Sequence, residues 1–178
     1  MAAAEPEYLL EGLAPGDNVR GFSTGHADFQ PLKTFFERDA KRFEQCSLAR
    51  TYVIRAPETS KIVAYMTLVC GEIEAQDGGG LAPDGNPYRY DSYPAIKVAR
   101  LLVDARERKK GLGKALIEFA LGTAKDVVCP SVGCRFIVVD AKAASVAFYV
   151  KQGFTLLETA DNRARSEPVM FIDLHKAA

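Results

Sequence analysis

Apolar residues recur at helical spacing in two parts of the chain and crowd into β-branched runs elsewhere, and that alternation predicts the elements. Residues 22–45 put Leu32, Phe35, Phe36, Ala40 and Phe43 on one side of a helix. Thr24 or Asp28 is available to cap it, and Pro31 is tolerable only in its first turn. The other side carries Lys33, Glu37, Arg38, Lys41 and Arg42, the pattern of a solvated face. Residues 49–56 and 61–75 are β-branched and aromatic runs parted by Pro57, Glu58, Thr59 and Ser60, which reads as strand, turn and longer strand.

From 75 to 94 Gly, Pro and Asp dominate, predicting a long irregular loop of the kind that borders binding sites. A strand over 95–104 follows. Residues 111–128 form a helical pattern with Leu112, Leu116, Phe119, Ala120 and Ala124 along one side. Then come a buried strand at 133–141, a short helix at 142–152, a strand at 153–158 and a last strand at 167–174. This β, α, β, α, β order predicts an α/β sheet with helices packed on its faces.

Composition narrows the picture. A chain of 178 residues with 48% apolar content buries one core, so a single domain over 1–178 is expected. Lys plus Arg equals Asp plus Glu at 23 each, so a nucleic-acid surface would have to be local. The first residues carry acids and a broken apolar run, unlike a secretory signal, and no segment reaches the roughly 18 apolar residues that span a bilayer. The chain reads as cytoplasmic, with no membrane partner. Cys46, Cys70, Cys129 and Cys134 are scattered with no histidine beside them, which suits small core residues better than a zinc site. His26 and His175 stand alone, so no metal is expected and a histidine triad has no support.

The chemistry concentrates at Arg106 to Leu116, RERKKGLGKAL, where a strand runs through cations and two glycines into a helix. Such a junction gathers unpaired amides, the positive end of a helix dipole and positive side chains, which suits a phosphate or pyrophosphate. Gly111 and Gly113 would let the backbone turn tightly and admit anionic oxygens. A Walker loop needs a glycine where Arg108 stands and a hydroxyl where Ala115 stands. A dinucleotide fingerprint needs a third glycine where Leu116 stands.

Arg108-Lys109-Lys110-Gly111-Leu112-Gly113, flanked by strand and helix, together with Ala147 to Phe154 (AFYVKQGF), resembles the acetyl-CoA signatures of the GCN5-related N-acetyltransferases. Across residues 22–174 the texture of strands and helices is similar to that of the acetyltransferase toxins of bacterial toxin and antitoxin pairs. The resemblance implies a mixed, largely antiparallel sheet with a splayed central strand pair. It implies that Leu101, Leu102 and Val103 pair with pantetheine through their backbone, an amide near Leu102 or Val103 polarising the thioester carbonyl. Arg108, Lys109, Lys110, Gly111, Leu112, Gly113 and Lys114 would cradle the pyrophosphate, with Ala115 and Phe148 completing the acetyl-CoA contacts. Tyr149 would be the catalytic acid that protonates the departing thiolate. Many relatives carry Asn before the position of Phe148, where this chain offers only Lys142 and Ser145.

A general base is open among Glu72, Glu74, Asp104 and Asp140, and an α-amine titrating near 8 needs little help. The toxin resemblance implies acetylation of the α-amino group of aminoacyl-tRNA, with Lys33, Arg38, Lys41, Arg42, Arg50, Lys97, Arg100 and Arg106 as candidate phosphate contacts. It also implies a ribbon-helix-helix antitoxin as partner. The net charge of zero is low for a tRNA enzyme, and a homodimer seam or a different acceptor would account for it. Two alternatives remain: an acetyltransferase of small-molecule or protein amines, and an acetyl-CoA-binding module without catalysis.

Overall fold

The computed structural model describes residues 7–74, 81 and 91–176. Along the chain come β1 (Leu9–Gly12), α1 (Gln30–Arg38), α2 (Ala40–Gln45), β2 (Arg50–Arg55), β3 (Ile62–Glu74) and β4 (Ser92–Val103). They are followed by α3 (Leu112–Gly122), β5 (Phe136–Asp140), α4 (Val146–Lys151), β6 (Thr155–Leu156), α5 (Ala160–Arg163) and β7 (Val169–Asp173). Hydrogen-bonded neighbours run β1-β2-β3-β4-β5-β7-β6. The β1/β2, β2/β3, β5/β7 and β6/β7 pairs are antiparallel and β4/β5 is parallel. The mixed, largely antiparallel α/β sheet is therefore present.

The splay is present as well. Parallel pairing registers only Ala95, Ile96 and Lys97 against Phe136, Ile137 and Val138. β5 nonetheless runs on to Asp140 and β4 to Val103. Beyond Lys97 the β4 backbone leaves that ladder, which exposes hydrogen-bonding groups to an added chain.

The described residues cluster into two compact units, one reaching to Val69 and including Arg100–Leu116, the other comprising Cys70–Ala99 and the residues from Ile117 onward. In the first, Phe35, Phe36 and Ala40 of the helical face pack with Phe22, Val53, Tyr65 and Leu102. Phe36 stacks on Tyr65 at 4.2 Å and Phe22 meets both rings edge-on. Ring pairs of this kind add about 0.5–1.5 kcal/mol each beyond burial. Glu11 and Asp17 bind Arg55, tying the start of the chain to β2. In the second unit Ile73, Leu81, Tyr93, Phe136, Val138 and Leu157 form the core, with Phe171 against it.

Several expectations are corrected. The helix over 22–45 breaks at Asp39, although Asp39 N still donates to Phe35 O and Phe43 N to Asp39 O. The kink keeps Phe35, Phe36 and Ala40 in one cluster. Neither Thr24 nor Asp28 caps α1; His26 instead accepts from Asp28 N through its ring. Strand β4 begins at Ser92, so the end of the predicted loop is regular, while 75–80 and 82–90 lie outside the described residues. The second long helix ends at Gly122 and continues as a π-helical turn, Thr123–Val128. The strand over 153–158 shrinks to Thr155–Leu156. β1 and α5, each four residues, were not anticipated, since so short a stretch shows too little periodicity. The cysteines are not core residues: Cys46 and Cys70 are exposed and Cys129 and Cys134 half-buried. No helix among the described residues is long and apolar enough to cross a membrane.

Candidate active site

The glycine junction is built on a buried carboxylate. Asp104, next after β4, is 1% exposed. It accepts from Ser23 N at 3.1 Å and from Arg106 N at 3.0 Å, and the Arg106 guanidinium grips it with Nε at 2.8 Å and Nη2 at 2.7 Å. Burial alone would raise this carboxyl, but the Arg106 side chain and the Arg106 and Ser23 amides outweigh it and hold the group at about 2. So weak a base is a poor candidate for deprotonating an amine. Asp104 is a positioning residue, and it spends Arg106 in doing so.

A depressed carboxyl stabilises the fold above its unfolded value near 3.9, and that stability is lost as pH falls toward about 2. Asp104→Asn is therefore expected to cost about 2 kcal/mol at pH 7. Urea unfolding at pH 7 and pH 2.5 checks this: the gap between the two proteins should shrink at the lower pH.

From Asp104 the chain makes a 3-10 turn at Ala105–Glu107. Glu107 accepts from Tyr8 Oη at 3.0 Å and from Lys110 Nζ at 2.7 Å. Arg108 donates to Thr24 O and lies 5.3 Å from the Phe29 ring. Lys109 (φ 67°) and Gly111 (φ 78°) are both left-handed. Among the described residues a Cβ at Gly111 would meet nothing within 4 Å, so the space beside that backbone is open. α3 starts at Leu112 with no acid in its first turn, and Ala115 N bonds to Gly111 O. The Leu112 and Gly113 amides precede that bond and have no intrahelical acceptor.

Gly113 differs from expectation, because it lies within α3 and is not left-handed; the second left-handed residue is Lys109. An L side chain there is strained by about 1–2 kcal/mol, of the kind that clusters at functional sites. Lys109→Gly is expected to stabilise the protein by about 1 kcal/mol, read by chemical denaturation.

Leu101, Leu102 and Val103 end β4. The Leu102 side chain is buried in the aromatic cluster, so only its backbone is available to a ligand. Lys114 and Ala115 lie in the first turns of α3. Phe148 and Tyr149 belong to α4 in the other unit, with ring centroids 5.1 Å apart. Tyr149 is 6% exposed and also packs edge-on to Phe154 at 5.2 Å. Burial pushes its phenol well above the ordinary value.

Of the remaining carboxylates, Glu72 binds Ser92 and Asp140 binds Lys97 at 2.5 Å and Arg165 at 3.5 Å. Glu74 has no hydrogen-bond partner among the described residues. All three border a cleft of about 690 Å³ with Arg165 and Asn162. Sequence reasoning missed Arg165, because only the β6-α5-β7 connection carries it to the end of β5.

The expected basic surface is largely consumed. Lys33 lies 4.0 Å from Glu37, Lys41 donates to the Pro15 and Asp17 carbonyls, Arg50 pairs with Glu44, Lys97 with Asp140 and Arg106 with Asp104. Arg38 and Arg42 are exposed.

Comparison with known proteins gives the geometry a context. The model of the Acetyltransferase (GNAT) family matches residues 24–154. A tRNA-acetylating toxin of Mycobacterium tuberculosis (strain ATCC 25618 / H37Rv) is 28% identical over 148 residues, 83% of this chain and 84% of that protein. The structure of AtaT complexed with acetyl-methionyl-tRNAfMet is 19% identical, with a TM-score of 0.77 over 95% of this chain and 96% of that one. AtaTR bound with AcCoA is 20% identical, with a TM-score of 0.75 over 94% of each chain.

Proposed function

Since the chain belongs to the acetyltransferase (GNAT) family, we propose that this acetyltransferase moves acetyl from acetyl-CoA to the α-amino group of an aminoacyl-tRNA, acting as a toxin in the cytoplasm. The observation that carries the donor half is the left-handed turn at Lys109 and Gly111, open beside Gly111, that feeds an acid-free helix start. The acceptor half draws on the M. tuberculosis relative, a tRNA-acetylating toxin alike over 83% of this chain. A single acetyltransferase domain over the whole chain fits the family match, which runs through segments of both units.

The junction suits the donor. Amides of Gly111, Leu112 and Gly113 would hold the pyrophosphate, with Arg108 to Lys110, Lys114 and Ala115 around it. Backbone of Leu101 to Val103 would hold the pantetheine arm, and Phe148 would contact the coenzyme. When bound, acetyl-CoA supplies an activated acetyl group. Three of the loop cations already have protein partners: Arg106 on Asp104, Arg108 on Thr24 and Lys110 on Glu107. The fixed amides therefore contribute more than the side-chain charges. An amide near Leu102 or Val103 would polarise the thioester carbonyl. Tyr149 would hold a proton on Oη for the sulfur that leaves. Asp104 orients the loop and Glu74 is the carboxylate left to receive a proton from the acceptor. A ribbon-helix-helix antitoxin and a homodimer complete the proposal.

A second reading, acetylation of a small basic amine, is favoured by the paired cations and by the carboxylate-lined cleft in the second unit. Incubating the protein with acetyl-CoA, charged tRNA and a panel of amines decides. Acetylated aminoacyl-tRNA as the preferred product supports the first reading; preferential acetylation of a small amine sinks it.

A further inference from the structure

Arg100 differs from the other cations that the sequence offers as tRNA phosphate contacts. Its guanidinium carbon lies 3.7 Å from the centroid of the Phe35 ring and 6.0 Å from that of Phe43, and those two rings meet edge to face at 5.3 Å. The platform is itself fixed. Phe35 is buried in the aromatic cluster with Tyr65, whose hydroxyl donates to Leu32 O at 2.7 Å. Arg100 also lies close enough to Tyr65 to act on its phenol electrostatically. Two residues before Leu102 on β4, it shares the strand face that packs on α1.

No carboxylate pairs with Arg100 among the described residues. The side chain is half-buried, so it has lost part of its hydration and gained only a ring face in return. A cation–π contact offsets some of that loss but leaves the guanidinium N–H donors without an anion. A planar fork seated on an aromatic ring, with no carboxylate on its donors, is suited to take a phosphate bidentately. By contrast, five of the other seven candidates are already tied to protein acceptors, and Arg38 and Arg42 have no comparable platform among the described residues.

We propose that Arg100, seated over the Phe35 ring, is the residue of the first unit that grips a backbone phosphate of the acceptor RNA. This rests on the aminoacyl-tRNA reading, and acetyl-CoA is the other source of phosphate in the reaction. A phosphate on the donor would tie Arg100 to acetyl-CoA affinity; one on the acceptor ties it to RNA affinity.

Two measurements test it. In the first, KM for charged tRNA is measured across a salt series for the wild type and for Arg100→Lys, which keeps the charge but loses the fork. The expected result is a KM raised about tenfold and, for Arg100→Gln, a salt slope smaller by about one, with KM for acetyl-CoA within twofold. In the second, the Arg100 Nε–H signal of the wild type is followed by NMR. The RNA trinucleotide CCA, which carries two phosphodiesters, should shift it, and adenosine should not. Unchanged tRNA KM and slope in the variants, or an Arg100 signal indifferent to CCA, overturns the proposal. A signal that acetyl-CoA shifts and CCA does not also overturns it, assigning Arg100 to the donor. If wild-type protein acetylates no charged tRNA, the aminoacyl-tRNA reading fails, while the CCA titration still decides whether Arg100 takes an RNA phosphate.

Discussion

Tyr149→Phe is expected to lower kcat by about a hundredfold or more while leaving KM for acetyl-CoA within about twofold, as loss of a proton donor does. The substitution is clean because Phe keeps the ring that packs on Phe148 and Phe154. Among the described residues nothing accepts from or donates to the Tyr149 hydroxyl, so its removal strands no partner. Stability should then change by less than about 0.5 kcal/mol, and a thermal melt separates a chemical defect from a folding one. The hydroxyl has a pH signature too. A general acid must carry its proton when the reaction begins, and burial raises the phenol above its ordinary value near 10. In the wild type, kcat should therefore show no descending limb below about pH 10 from this group, while kcat/KM rises as an α-amine loses its proton near pH 8. Turnover by the Phe variant at the wild-type level removes Tyr149 from the mechanism.

The second large effect is expected at Gly111. Gly111→Ala should raise KM for acetyl-CoA at least about tenfold and cost about 1–2 kcal/mol of stability, because φ is 78° there. The two losses have different causes. Stability falls because an L residue is strained in that conformation; among the described residues nothing lies within 4 Å of the new Cβ. Affinity falls because that open space is where pyrophosphate oxygens would reach the amides. Gly111→Asn separates them, since Asn tolerates the left-handed region yet still carries a Cβ. It should recover part of the stability and none of the affinity. Should isothermal titration show both variants binding acetyl-CoA as the wild type does, the donor does not dock at this turn.

Much of the glycine junction was legible because its cause is local. A strand ending in Val103, a run of cations and glycine, and apolar spacing from Leu112 onward specify a strand-to-helix junction with no reference to the rest of the chain. The order of elements and the AFYVKQGF segment were equally readable, and the sheet follows that order except that β7 lies between β5 and β6. Which residue turns left-handed was not, since Lys109 has no intrinsic preference for that conformation; Asp104, gripped by Ser23 and Arg106, frames the loop around it.

The sequence by itself determined the α/β alternation, the glycine junction and the two signatures of the family, all of which depend on neighbours within a few residues. Only the tertiary structure decided which charges are spent. Asp104 became a strut because Ser23, 81 positions away, supplies an amide to it. Five expected tRNA contacts were engaged by protein partners, those of Lys41 and Lys97 lying 26 and 43 positions away, whereas Arg100 came to rest on a phenylalanine from a helix far earlier in the chain. Charge is written in the sequence, but its availability depends on what long-range packing brings within about 4 Å, where Coulomb attraction and desolvation are both large.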